Sequence, residues 1–371
     1  MKHPLRGVEE MWTLRDEFSN VEIGSSSHFR NLTLFPLIRH NGAIREPDYL
    51  LLEDAISQGK VRVTELHAGG SVPELRLENA ANLPVLVVDG EELVGAKQNR
   101  VLNLTVLAPA KQTIVIPVSC VEAGRWSMAT PQFRTADHVM YSAARAERVS
   151  QVTESMRSSG ARVSDQGAVW RDIAAKAVRL NSVSPTGAMS AIYERHSNSV
   201  EELGRAFSWQ QGQYGAAFAI GDQLVGLDIF DHPQVMNRFF PKLMRSYALD
   251  ALDAASSNKV PIAKELETLF TQIGAAQMFS DPAVGLGKDI RFDGPEIAGA
   301  ALWALAVCAH LWLCEETQIF WFLDPLKSTE RPWPVLSCDI KEYDTRKVCL
   351  PSSFDCSTAW HQLSHGSISK G

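Results

Sequence analysis

Val85–Trp126 reads VLVVDGEELVGAKQNRVLNLTVLAPAKQTIVIPVSCVEAGRW, and its alternation of apolar runs with polar clusters decides the fold class. Val85–Val88 is all apolar, as in a strand buried on both faces. Asp89-Gly90 can turn the chain, and Gly95 permits a left-handed or closely approached backbone. Short β-branched runs continue on either side: NLTLFPLI, VRVTELHA, ELRLENA, RVLNLTVLAP and QTIVIPVSCV, each punctuated by Gly, Pro or Asn. Within these strands lie two dense polar clusters, Asp89–Arg100 and Ser119–Arg125. Polar groups gathered beside buried strands are hydrogen-bonded to each other, exposed, or held for a ligand.

Beyond Trp126 the texture changes. Thr135–Ser158, Ala168–Arg179, Ala188–Ser208, His232–Ala255 and Ile262–Met278 carry helix formers with few turn signals and are expected to be helices, as is Asp48–Gln58. Gly215–Ile229 contains two apolar runs about a Gly-Asp turn, the mark of a hairpin. Lys288–Phe292 begins a last β-like stretch. Strands in runs and helices in runs, without βαβ alternation, give an α+β class. The expected core is an antiparallel or mixed sheet built from residues 29–126, 215–230 and 288–314, with a helical insertion between. The expected organisation is an arm over 1–28, a domain over 29–315 and an irregular extension over 316–371.

Of the 371 residues, 45% are hydrophobic and 21% charged, which suits a globular chain with a sizeable core. The formal net charge of −7 argues against broad nucleic-acid or anionic-membrane binding and leaves room for a local basic site. Six cysteines form no CxxC pair, and the charged N-terminus lacks the apolar stretch of a signal peptide, so a reduced cytoplasmic location is expected. Ile297–Cys314 (IAGAALWALAVCAHLWLC) is long enough to raise a membrane span. It lacks basic flanks and is followed by Glu315 and Glu316, so a buried core element is expected instead.

The chemistry is expected in the two clusters. If Ala96–Val101 is extended, Lys97 and Asn99 share one face, Gln98 and Arg100 the other. Lys97, Arg100 and Arg125 would then supply charge to an anionic small molecule, and Glu92, Gln98 and Asn99 would orient it. Trp126 would stack on a planar ligand. Glu91 and Glu122 are acid/base or metal-holding candidates, and Cys120, on the same strand face as Glu122, is a candidate nucleophile with no evident histidine partner. The alternative is a structural network: Glu91 or Glu92 paired with Lys97 or Arg100, Glu122 with Arg125, and Cys120 as a small buried hydrophobe. Asp228, Asp231 and His232, and the His361/His365 pair near the terminus, read as hairpin end and tail rather than metal ligands, so no metal-ligand set is named, and cofactor and metal need are left open. GxGxxG and Walker-type loops are lacking.

Three blocks in order, DGEELVGAKQNR, IPVSCVEAGRW and GAAFAIGDQLVGLDIFDHP with the later KLMRSYALDAL, resemble a bacterial domain family associated with ADP-ribosylglycohydrolases and rhodanese-like phosphatases. The resemblance runs from about Phe29 to Cys314. It implies matched positions at Gly90, Glu91, Gly95, Gln98 and Arg100, at Cys120, Glu122, Gly124, Arg125 and Trp126, and at Gly221, Gly226, Asp228 and Phe230. It also implies that Ile297–Cys314 is a strand, turn and strand, here without the usual turn glycine. By association it points to ADP-ribose, NAD-related or other nucleotide metabolism, in places within conflict systems. The expectation is a protein that binds a phosphorylated nucleotide-derived small molecule, with processing of it as a hydrolase or transferase left open; the alternative is a non-catalytic scaffold or interaction subunit, with a homo-oligomer or a protein partner left open.

Overall fold

The computed structural model describes residues 21–39, 46–255, 263–273, 276–294 and 297–315. The extension expected over 316–371, with His361 and His365, lies outside them.

In chain order the first strands are β1 (Glu22–Ile23), β2 (Ser27–Phe29), β3 (Leu32–Ile38) and β4 (Leu50–Leu51), followed by helix α1 (Leu52–Ser57). Next come β5 (Val61–Glu65), β6 (Glu74–Asn79), β7 (Val85–Val87), β8 (Glu91–Gly95), β9 (Arg100–Leu102), β10 (Val106–Ala108), β11 (Gln112–Cys120) and β12 (Phe133–Val139). Four helices follow: α2 (Ser142–Ser159), α3 (Gln166–Arg179), α4 (Met189–Arg195) and α5 (Ser197–Arg205). The hairpin β13 (Gln213–Ile220) and β14 (Gln223–Phe230) leads into α6 (Pro233–Asp253) and α7 (Ala263–Ile273). The described chain closes with β15 (Gln277–Pro282), β16 (Lys288–Gly294), β17 (Ile297–Ala304) and β18 (Val307–Glu315).

These strands form three sheets, so the α+β class holds but the core is divided. A nine-stranded sheet runs β1-β3-β13-β14-β18-β17-β16-β15, with β2 also on β3. A six-stranded sheet runs β12-β8-β9-β11-β6-β5, and a three-stranded one β10-β7-β4. All pairings are antiparallel except β4 with β7.

The central strands of the large sheet are buried on both faces, which is why β3, β14 and β17 are largely apolar runs, whereas the edge strand β15 is half polar and mostly exposed. Along β3, Leu32 and Leu34 enter one core with Ala216, Phe218 and the α6 residues Phe239 and Leu243. Phe35 and Leu37 enter the opposite core with Ala217, Ala219 and the α7 residues Leu266 and Leu269. A third core joins the two smaller sheets, where Val85 and Val87 meet Leu93, Leu102, Ile116 and Phe133. At roughly 1.5–3 kcal/mol for each large apolar side chain removed from water, these three cores hold the domain.

Several expectations are corrected. Glu22–Ile23 and the first two residues of Ser27–Phe29, read as part of an arm, belong to strands that pair with β3. Thr135–Ser158 is not one helix: Phe133–Val139 pairs with β8 and helix begins only at Ser142. Ala188–Ser208 divides at His196 into α4 and α5. Helix in Ile262–Met278 stops at Ile273, and Gln277–Pro282 is strand β15. Ile297–Cys314 is an antiparallel hairpin. Among the described residues no helix is long and apolar enough to cross a membrane.

Candidate functional site

The first cluster is shaped by a backbone that does not stay extended. At Gly95 φ is +132°, and a Cβ there would run into Thr130 Oγ1; Ala96 follows at φ +41°. Strand β8 therefore ends at Gly95, and residues 96–99 turn before β9. The expected sharing of faces by Lys97 with Asn99 and Gln98 with Arg100 fails for this reason. Lys97 is half-buried, whereas Gln98, Asn99 and Arg100 are buried together.

The second cluster arrives on β11. Pro117 is the last residue of β11 paired with β6; Val118–Cys120 then pair with β9, setting Cys120 opposite Arg100. The imino residue ends one ladder where the next begins, as its missing N–H requires. Past Cys120 the chain bridges to the start of α4 through Glu122 and Ala188.

The two clusters thus meet. Glu122 Oε2 accepts from Arg125 Nη2 at 2.6 Å and from the Asn99 amide at 3.1 Å. Gln98 Nε2 donates to the Glu122 carbonyl at 2.9 Å, and Gln98 Oε1 accepts from Arg100 Nη1 at 3.1 Å and Cys120 Sγ at 3.0 Å. Arg125 also donates to the carbonyls of Ala96 at 2.7 Å and Ser127 at 3.0 Å, and to Asn99 Oδ1 at 3.1 Å. Its guanidinium is spent on the protein itself.

Glu91 and Glu92 part company, as neighbours on a strand must. Glu92 accepts from Asn99 Nδ2 at 3.1 Å and from His138 Nε2 at 2.6 Å, which joins it to the cluster. Glu91 lies apart: it accepts from the Val88 amide at 2.9 Å and Lys242 Nζ at 3.2 Å. It is a structural partner of α6, not a member of the constellation.

Cys120 is fully buried, and burial pushes its thiol up, with Arg100 offsetting this only in part. A nucleophile needs thiolate, so the environment opposes that role and makes Cys120 a donor to Gln98.

Arg100 is different. It is 0 % exposed, yet its Nε and Nη2 have no hydrogen-bond partner. Burial holds its guanidinium below the ordinary arginine range, and Cys120 and Glu65 counter this incompletely. Over it lies the Trp126 ring, 5.6 Å from the guanidinium carbon and 40 % exposed. Lys97 Nζ sits 5.2 Å from the same ring and donates to the Gly69 carbonyl at 2.7 Å. Gly70 packs closely here, since a Cβ on it would lie 3.1 Å from both Lys97 Cδ and Trp126 Cζ2.

Glu65 and His138 were not singled out from sequence. Glu65 Oε1 accepts from the Lys97 amide at 3.2 Å, while Oε2 is buried without a partner. The period-2 pattern of VRVTE carried the signal: Val61, Val63 and Glu65 share the inward face of β5. His138 had no such signal, because its segment reads as helix.

Among the described residues no group of three or more His, Cys, Asp or Glu is placed to hold a metal ion. Asp228 binds Arg145 at 2.9 Å and Tyr247 Oη at 3.1 Å, Asp231 accepts from Tyr49, and His232 precedes α6.

A family model described as the ARG and Rhodanese-Phosphatase-superfamily-associated Protein domain matches residues 20–314. No curated protein and no solved structure matches the chain.

Proposed function

The chain belongs to the ARPP-1 domain family, and from that premise we propose that it binds a small phosphorylated molecule at the buried edge of Arg100. The observation that carries this reading is the pair of unpartnered donors, Nε and Nη2, on a guanidinium that is otherwise buried. An unmade hydrogen bond on a buried charged group costs several kcal/mol, and an Nε/Nη2 edge matches two oxygens of a phosphate. Trp126 closes the site and offers a stacking face, and Lys97 adds a second charge at its rim. Glu65 Oε2 offers an acceptor for a ligand hydroxyl.

The family's named association with ADP-ribosylglycohydrolases and rhodanese-like phosphatases favours a ligand of the ADP-ribose or NAD-related class, with conflict-system contexts among its settings. The free, buried thiols of Cys120, Cys308 and Cys314 suit a reducing, cytoplasmic setting. Binding is the step that the geometry supports. Glu122 is the remaining acid/base candidate, but its carboxylate is held by Arg125 at 2.6 Å.

Calorimetric titration of ADP-ribose, AMP and ribose 5-phosphate into the wild type and Arg100→Met tests the proposal. Saturable binding that Arg100→Met abolishes supports it; equal heats from both proteins sink it.

A second reading has its own support. No buried side-chain polar atom of Glu122, Asn99, Gln98 or Arg125 lacks a hydrogen-bond partner, as in a network that fixes a fold without any ligand. On that reading the protein is a scaffold or interaction subunit, and none of the three compounds binds.

A further inference from the structure

A cleft of about 420 Å³ opens elsewhere in the domain, between β12 and the helices α4, α5 and α6. Its volume falls within the range of small-molecule sites. His138 forms its floor, buried and stacked on Tyr193 with ring centroids 3.7 Å apart. The Nε2 side of the imidazole faces inward to Glu92, which is itself fully buried, at 2.6 Å. The Nδ1 side faces outward to Asp137 Oδ1 at 3.1 Å.

Asp137 is the unusual member. Its side chain is 74 % exposed, yet its two carboxylate oxygens reach two different cations. Oδ1 takes the His138 donor, and Oδ2 lies 3.6 Å from Arg245 Nη2. The hydrogen bond from His138 holds the Asp137 carboxyl down at about 2, so it is ionised at any working pH. A surface carboxylate on a short, rotatable side chain thus sits where a ligand's anionic group would sit.

We infer that this cleft is a second ligand site, for small molecules bearing a phosphate or carboxylate group, and that Asp137 is a displaceable stand-in for that group. A bound anion takes the Nδ1–H of His138 and the Arg245 guanidinium when Asp137 swings into solvent. Glu92 keeps the imidazolium charged and aimed, as a buried carboxylate behind a histidine does. Arg134 lies on the same wall and adds charge. Three further carboxylates line the cleft. Glu53 is paired with Lys242 at 3.0 Å and Glu201 with Arg205 at 2.8 Å, whereas Glu194 faces the space directly. They select ligands that carry a hydroxyl or ammonium donor beyond the anionic end and disfavour extended polyanions. The cleft shares no lining residue with the Arg100 edge, although Glu92 and Asn99 link the two through hydrogen bonds.

Inorganic phosphate and acetate serve as minimal probes, read by the ring-nitrogen NMR signals of His138 in the full chain. Phosphate or acetate should shift Nδ1 saturably. Asp137→Ala, which removes the competitor, should bind about fivefold tighter, the scale of one exposed charge pair. Adding Arg245→Ala to that variant should reverse the gain. A response to phosphate alone assigns a phosphate-bearing ligand, and an equal response to acetate assigns the carboxylate class. A folded Asp137→Ala protein whose Nδ1 signal ignores both anions overturns the inference. So does a shift that Arg245→Ala leaves unchanged.

Discussion

Arg100 and Arg125 sit in one polar cluster, but the structure gives them opposite energetic roles. Arg125 is 16 % exposed and answers Glu122, Asn99 and three backbone carbonyls. Arg125→Ala leaves the buried Glu122 carboxylate without its cation and should cost roughly 3–5 kcal/mol, read from the urea midpoint. His138 supplies a pH dependence. Burial alone would lower its pKa, but hydrogen bonds to Asp137 and Glu92 and their charges outweigh it and raise it above 6.5. The stability it contributes is full below the unfolded value and is lost as pH rises through the raised folded one. Urea midpoints should therefore decline as pH rises from the unfolded histidine value through the raised folded one, and His138→Gln should flatten that slope. The strand pattern made it legible that Glu91 and Glu92 diverge, but which of them joins the cluster depends on where Asn99, Lys242 and His138 come from in space.

At the scale of elements, the β17–β18 hairpin holds an identifiable weakness. Its two turn residues, Leu305 and Ala306, have φ of +55° and +63°, the conformation for which glycine or asparagine is preferred. An L-residue with a Cβ pays roughly 1–2 kcal/mol there. Ala306→Gly should raise the melting temperature by about 2 °C, a gain of about 1 kcal/mol. A variant that melts at or below the wild type would show that the turn is not strained. Local pattern identified the β13–β14 hairpin, α3 and α6, because their apolar periods and turn residues are contiguous, whereas the β17–β18 hairpin was legible only through the family resemblance. It misread Phe133–Val139, whose strand state comes from pairing with β8 rather than from its own propensity. It also missed the turn at residues 96–99, since a left-handed alanine leaves no mark in sequence.

For the whole molecule, a nine-stranded sheet whose central strands are buried on both faces and a smaller two-sheet unit form a scaffold, with the polar cluster on the six-stranded sheet. Binding to such a folded state couples to global unfolding and stabilises it by about 2.7 kcal/mol when ligand is present at a hundred times Kd. Replacing Arg100 by methionine fills a similar volume and removes a charge two of whose donor atoms are unmet, so the unliganded fold should lose no more than about 1 kcal/mol. The most direct test is a thermal melt of wild type and Arg100→Met, each with and without saturating ADP-ribose. The account predicts that the two unliganded proteins melt within a few degrees of each other and that only the wild type is raised by the ligand. A wild type that ADP-ribose does not move, beside an Arg100→Met protein that melts far lower, would contradict it and make Arg100 a structural residue.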